Sequence, residues 1–171
     1  INKINNVDTF FFLDFNTFSR LDKMSEHVSK KDAYVILIDH HQDSKIVPDQ
    51  SHCDTNICST AELVYDFIKK MDWNISKETA MSLYTGIVTD SGSFKYPTVT
   101  SKTHDIVSDL LSFDINHSLI HKNLFDSNTL SRMRLLGKCI STNFKLFSDY
   151  NSAIIYLSKK DLKEYKFIKG D

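Results

Sequence analysis

The sequence predicts an α/β fold: a mainly parallel sheet with helices on both faces, followed by the beginning of a second α/β domain. Three observations predict it. Residues 33–39 form an unbroken apolar run that stops at Asp39-His40-His41. A run without polar alternation, rich in β-branched residues, is how a strand buried on both faces of a parallel sheet reads. Residues 8–14 repeat the pattern and stop at Asp14. Between the two runs, Leu21, Met24 and Val28 recur at helical spacing, so the unit reads β-α-β.

The remaining elements follow in order. Residues 42–57 are polar and aperiodic, a surface loop with one short edge strand. Ser59-Thr60-Ala61-Glu62 is a capping box that opens a helix with Ala61, Val64, Tyr65, Ile68 and Met71 as its buried stripe. Ser76 caps the next helix, which carries Ala80, Met81, Tyr84, Ile87 and Val88 and runs into Asp90-Ser91-Gly92. Thr98 to Ser101 cap a helix with Ile106, Val107, Leu110 and Leu111. Residues 116–125 form a short helix. Residues 128–142 form a longer one with Leu130, Met133, Leu136 and Ile140 at helical spacing. The chain then changes character: two strands around residues 148–151, and a helix from Ser158. The domain boundary is expected near residue 143, with 1–143 as one domain and 144–171 as the start of another.

At 171 residues and 41% hydrophobic content, the chain can bury a real core. A formal charge of −1 sets up no global field for nucleic acid, so phosphate recognition has to be local. Three cysteines with no CxxC pair read as reduced thiols in a cytoplasmic setting, and His52, Cys53 and Cys58 read as incidental rather than as zinc ligands. No apolar run reaches membrane-spanning length and no signal peptide is visible. The chain starts at Ile1 and stops at Lys169-Gly170-Asp171, so a piece of a longer protein is expected.

A chain leaving a parallel strand deposits its next side chains at the carboxyl edge of the sheet, where open α/β folds bind ligands. Neighbouring strands ending in Asp14 and in Asp39-His40-His41 would bring these groups within reach of a common ion. Imidazole with carboxylate suits Mn, Fe, Co or Zn better than Mg or Ca. Asp90, taken alone, reads as part of a helix-ending turn. Arg20 stands near the same edge, where it reads slightly better as a solvated helix-start residue than as a phosphate contact.

Together these stretches resemble the DHH phosphoesterases. Asp39-His40-His41 matches the family's signature, Asp14 its second motif, and residues 85–94 its fourth, the GI-x-x-D-T/S-G-x-F pattern. Residues 58–65 resemble the helix between the family's third and fourth motifs. The branch most similar is the oligoribonuclease and 3′-phosphoadenosine-5′-phosphate (pAp) phosphatase type, related to RecJ. The resemblance implies a binuclear site, usually Mn, with Mg or Co as variants. Carried over, the metal ligands are Asp14, His40 and Asp90; His41 faces the substrate phosphate, and Asp39 holds the imidazole. Asp39 and His41 are thus the implied catalytic pair. The implied partners are a short oligonucleotide or a small phosphorylated nucleotide, with a homodimer as a possible assembly.

Residues 1–13 do not supply the family's first motif, which has a His and two Asp around P-D-x-D. Most of the C-terminal DHHA1 domain is also missing, and Lys169-Gly170-Asp171 looks like its approach. Two other readings stay open: a DHH hydrolase of pyrophosphate, polyphosphate or linear or cyclic dinucleotides, and a non-catalytic nucleotide-binding module.

Overall fold

A computed structural model describes residues 7–28 and 33–168. The chain divides into two compact units, Ile1–His117 and Ser118–Asp171.

The first unit is built on a parallel sheet in the order β1 (Thr9–Leu13), β2 (Tyr34–Asp39), β3 (Gln50–Cys53). The register pairs Leu13 with Ile38 and Asp39 with Cys53. Hydrogen bonding runs one residue past each of the outer strands. The Asp14 amide donates to the Ile38 carbonyl (3.2 Å) and the Asp54 amide to the Asp39 carbonyl (3.3 Å). Asp14 and Asp39 therefore leave the same edge of the sheet, on adjacent strands. β3 is the short strand expected in the 42–57 loop.

Between β1 and β2 the chain makes a 3-10 segment (Phe18–Met24) and one turn of helix, α1 (Ser25–Val28), rather than a regular helix. The break is at Asp22, whose φ of 49° interrupts the helical path.

Strand alternation sorts the side chains. Phe12, Val28, Leu37 and Ile46 form a core on one sheet face, with the Phe10, Phe15 and Phe18 side chains packed around it. Phe11 points the other way and meets Phe67 edge-on, the ring centroids 5.8 Å apart. β2 is buried at Leu37, Ile38 and Asp39 but exposed at Tyr34, and Phe11 and Leu13 of β1 are each 44% exposed. Burial on both faces thus holds only for the carboxyl half of β2, the half that ends at Asp39.

Three helices complete the unit: α2 (Thr60–Lys70), α3 (Lys77–Asp90) and α4 (Ser101–Leu111). Their N-caps Ser59, Ser76 and Thr100 each accept the amide three residues on, a bond typically worth about 1 kcal/mol. Met71 and Met81, expected in the buried stripes, are exposed, while Leu63 and Leu83 are buried. Met71 is the C-cap of α2, beyond the packed turns. α3 packs against both α2 and α4, which widens its buried face past the narrow stripe that periodicity picks out.

α5 (His117–Phe125) begins at the division between the units. In the second unit, α6 (Leu130–Ser141) is followed by the antiparallel hairpin β4 (Phe144–Phe147) and β5 (Ser152–Ile155), then α7 (Lys159–Glu164). Residue 143 falls inside this unit, where α6 gives way to β4. Leu130, Met133, Leu136 and Ile140 are exposed, and Leu135 and Cys139 are the buried residues of α6. Lys169-Gly170-Asp171 lies outside the described residues. Among the described residues, no helix is long and apolar enough to cross a membrane.

Candidate active site

The carboxyl edge of the sheet collects the groups that the two apolar runs end on. Asp14 follows β1 with φ 66°, a left-handed conformation that aspartate tolerates. Its Oδ1 lies 3.6 Å from His40 Nε2 and 3.9 Å from His41 Nδ1. One ligand atom from each of Asp14, His40 and His41 falls within 4.8 Å of the others. At these separations the imidazoles do not hydrogen-bond the carboxylate. A mixed carboxylate and imidazole donor set of this kind fits a divalent transition ion.

The two histidines are held differently. His40 Nδ1 makes a long 3.5 Å contact with the Ile57 carbonyl. A carbonyl only accepts, so Nδ1 carries the proton in that contact and the Nε2 lone pair stays on the Asp14 side. This is the tautomer a metal-ligating histidine needs. His41 Nδ1 lies 2.6 Å from Asp39 Oδ1, which also accepts the His41 amide at 3.2 Å. Its other nitrogen, Nε2, is 3.1 Å from Arg20 Nη1. A guanidinium only donates, so Nε2 accepts and Nδ1–H donates to Asp39. His41 is thereby committed at both nitrogens, and His40 is not.

Asp39 is 1% exposed, and its Oδ2 has no hydrogen-bond partner. Asp90 ends α3, half-buried. Burial raises its pKa, the charge of Asp14 raises it further, and His40 and His41 pull it down. Asp90 is thus near enough to these groups to feel their charge, and its carboxylate is outside the close group of three. The helix-ending turn expected there is present too: Gly92, Ser93 and Phe94 all have positive φ, and Ser91 Oγ accepts the Phe94 amide at 3.0 Å.

Two residues differ from the sequence expectation. Arg20 is not simply solvated; it reaches His41 across the edge. Nothing local distinguishes it from other helix-start cations, since the contact exists only because β2 returns beside β1. The second is Thr60, the first residue of α2, whose Oγ1 donates to Asp14 Oδ1 at 2.8 Å. Sequence reading singled out the neighbouring cap and not this hydroxyl. The Ser59-to-Glu62 capping box forms only by half. Ser59 Oγ accepts the Glu62 amide, but the Glu62 carboxylate turns inward to accept from Cys58 Sγ (2.6 Å) and Thr103 Oγ1 (3.1 Å).

Comparison with known proteins gives the family. Residues 2–87 match the model of the DHH family, N-terminal domain. The "Probable bifunctional oligoribonuclease and PAP phosphatase NrnA" of Streptococcus mutans is 35% identical over 81% of this chain and 44% of its own length. The "Bifunctional oligoribonuclease and PAP phosphatase NrnA" of Bacillus subtilis is 28% identical over 78% of this chain and 42% of its own. A solved exopolyphosphatase-related protein from Bacteroides fragilis superposes with a TM-score of 0.93 at 37% identity, covering 99% of this chain and 50% of that one. The chain spans about half the length, or less, of each of these relatives.

Proposed function

The chain belongs to the DHH family, and from that premise we propose that it serves a divalent-metal phosphoesterase acting on short oligonucleotides and pAp, with manganese as the working ion. The observation that carries this reading is the meeting of the Asp14 carboxylate and the uncommitted Nε2 of His40 at the carboxyl edge of a parallel sheet, beside His41. The names of the relatives that match most of the chain support the substrate class.

In this reading Asp14, His40 and Asp90 hold metal. The chemistry such ions supply when bound is Lewis acidity toward the phosphoryl oxygens and activation of the attacking water. His41 stands on the substrate side, oriented by the buried Asp39 carboxylate. Arg20, held at His41 Nε2, presents its remaining N–H donors to the non-bridging oxygens of the phosphate, a geometry that guanidinium suits. The β4–β5 hairpin and α7 open the DHHA1-like domain that shapes the nucleotide pocket. The free thiols Cys53, Cys58 and Cys139 support a cytoplasmic setting.

The likeness to the exopolyphosphatase-related protein of Bacteroides fragilis favours a second reading, hydrolysis of polyphosphate. One assay separates the two: phosphate release from pAp, from RNA of two to five nucleotides and from polyphosphate, with and without Mn²⁺. It is run on this chain and on any longer protein that carries it, beside Asp39→Ala and His40→Ala. Mn-dependent release from pAp or RNA that both variants abolish is the expected result. Release from polyphosphate alone selects the second reading. A protein that binds no metal and turns over none of the three overturns both and leaves a nucleotide-binding module.

A further inference from the structure

A buried polar layer lies at the start of α2, next to Asp14. Ser59, Glu62 and Thr103 are each 0% exposed, and Thr60 is 4% exposed. The start of α2 is fastened on three sides. Cys58 Sγ binds Glu62 from the chain entering the helix, Thr103 Oγ1 binds it from α4, and Ser59 Oγ caps the Glu62 amide. Packing at native density makes such a turn a rigid platform.

Thr60 sits on that platform and reaches the other way, donating to Asp14 Oδ1. Asp14 needs the contact. Its side chain is 54% exposed and lies just past the end of β1. The neighbouring imidazoles, at 3.6 and 3.9 Å, are too far to hold it by hydrogen bonds. The Thr60 hydroxyl is the one side-chain donor bonded to the Asp14 carboxylate among the described residues. A helical threonine has two accessible χ1 rotamers, and the buried Thr60 side chain holds the one that aims Oγ1 at Asp14.

We propose that Thr60 is the positioning residue for Asp14: its hydroxyl, on the Glu62-anchored start of α2, fixes the Asp14 carboxylate in the orientation that takes a divalent cation. The proposal rests on the metal reading above. Oδ1 has two lone pairs. Thr60 occupies one, leaving the second and all of Oδ2 for an ion. A carboxylate already locked in one rotamer loses less conformational freedom on binding, which strengthens the site. Partners of this kind around a ligand typically alter metal affinity about 10- to 100-fold.

The test is Mn²⁺ affinity, read by electron paramagnetic resonance of the free ion, for the parent chain, Thr60→Val and Thr60→Ser. Valine keeps the shape and removes the donor; serine restores the donor. Expected are a loss of about 10- to 100-fold in Thr60→Val and parent affinity in Thr60→Ser. A role confined to folding would shift the melting temperature of Thr60→Val and leave its Mn²⁺ affinity unchanged; that result overturns the proposal. So does serine failing to rescue. A second measurement needs no variant: scalar couplings in the metal-free parent should give one Asp14 χ1 rotamer, and averaging over rotamers overturns the proposal. A parent chain that binds no Mn²⁺ overturns the metal reading together with this proposal. A parent that binds while Thr60→Val binds equally well overturns this one alone.

Discussion

Replacing Asp39 by asparagine tests the logic of the site most directly. Asp39 Oδ1 accepts from both the amide and the Nδ1–H of His41, and at 1% exposure no bulk water can substitute. A hydrogen bond to a charged acceptor contributes about 1.5–3 kcal/mol, so it biases His41 about 10- to 100-fold toward the Nδ1–H tautomer. In Asp39→Asn the amide oxygen can replace Oδ1, but the amide nitrogen then takes the place of Oδ2, which has no partner. An unsatisfied buried donor costs about 1–3 kcal/mol. In a chain of this size that lowers the melting temperature by about 2–4 °C per kcal/mol. Long-range ¹⁵N–¹H correlation spectra of the His41 ring read the tautomer, and thermal unfolding followed by circular dichroism reads the stability. The parent chain should show a protonated Nδ1 and an accepting Nε2. Asp39→Asn should show a mixed population and an earlier transition. A parent chain with the proton on Nε2, or a variant with unchanged tautomer and stability, would refute the hydrogen bonds assigned to His41.

Burial, reinforced by the Glu62 hydrogen bond, pushes the Cys58 thiol to about 12. At pH 8 its thiolate fraction should be roughly a thousandfold below that of an unperturbed thiol; rapid labelling of Cys58 by a thiol reagent, read by peptide mass spectrometry, would contradict this. Gly92→Ala should destabilise the first unit by about 1–2 kcal/mol, because Gly92 has φ 58° and an added Cβ would stand 2.7 Å from the Tyr96 ring. Equal denaturation midpoints for parent and variant would count against that cost. Asp161 is held well below the usual carboxylate range by Lys138 and Ser158. A depressed folded-state value adds stability that is present above the unfolded value near pH 4 and lost as the pH falls through the folded one. Amide protection in α7, taken relative to the intrinsic exchange rate at each pH, should therefore fall below about pH 4, and Asp161→Asn should flatten that dependence; an unchanged acid profile in the variant would refute it.

Much of the first unit was legible because its signals are local. β1 and β2 announce themselves as apolar runs, and both runs end on the side chains that the sheet edge brings together. The caps Ser59 and Ser76 and the stretch from Thr98 to Ser101 marked three helix starts. What was not legible depends on return paths of the chain. Arg20 meets His41 across 21 residues and Thr60 meets Asp14 across 46; neither residue differs locally from an ordinary helix-start residue. Glu62 read as a capping partner because the motif is local, but α4 supplies a buried acceptor's partner in Thr103, and the carboxylate goes there. Periodicity found the apolar positions of α6, yet it reports a face and not what covers that face. The structure shelters Leu135 and Cys139 and leaves Leu130, Met133, Leu136 and Ile140 exposed.

The ladder that pairs Leu13 with Ile38 and Asp39 with Cys53 also sets a rule for change over time. Side chains alternate with a period of two, so a single-residue insertion or deletion inside β1 or β2 would invert every position beyond it. Asp14 or Asp39 would then be carried to the opposite side of the sheet, and the Phe12 and Leu37 side chains out of the core. Substitution within these strands is a matter of degree, whereas a shift in their length is all or nothing. In a lineage of such proteins, the loops can lengthen and shorten while the residue count of these two strands stays constant.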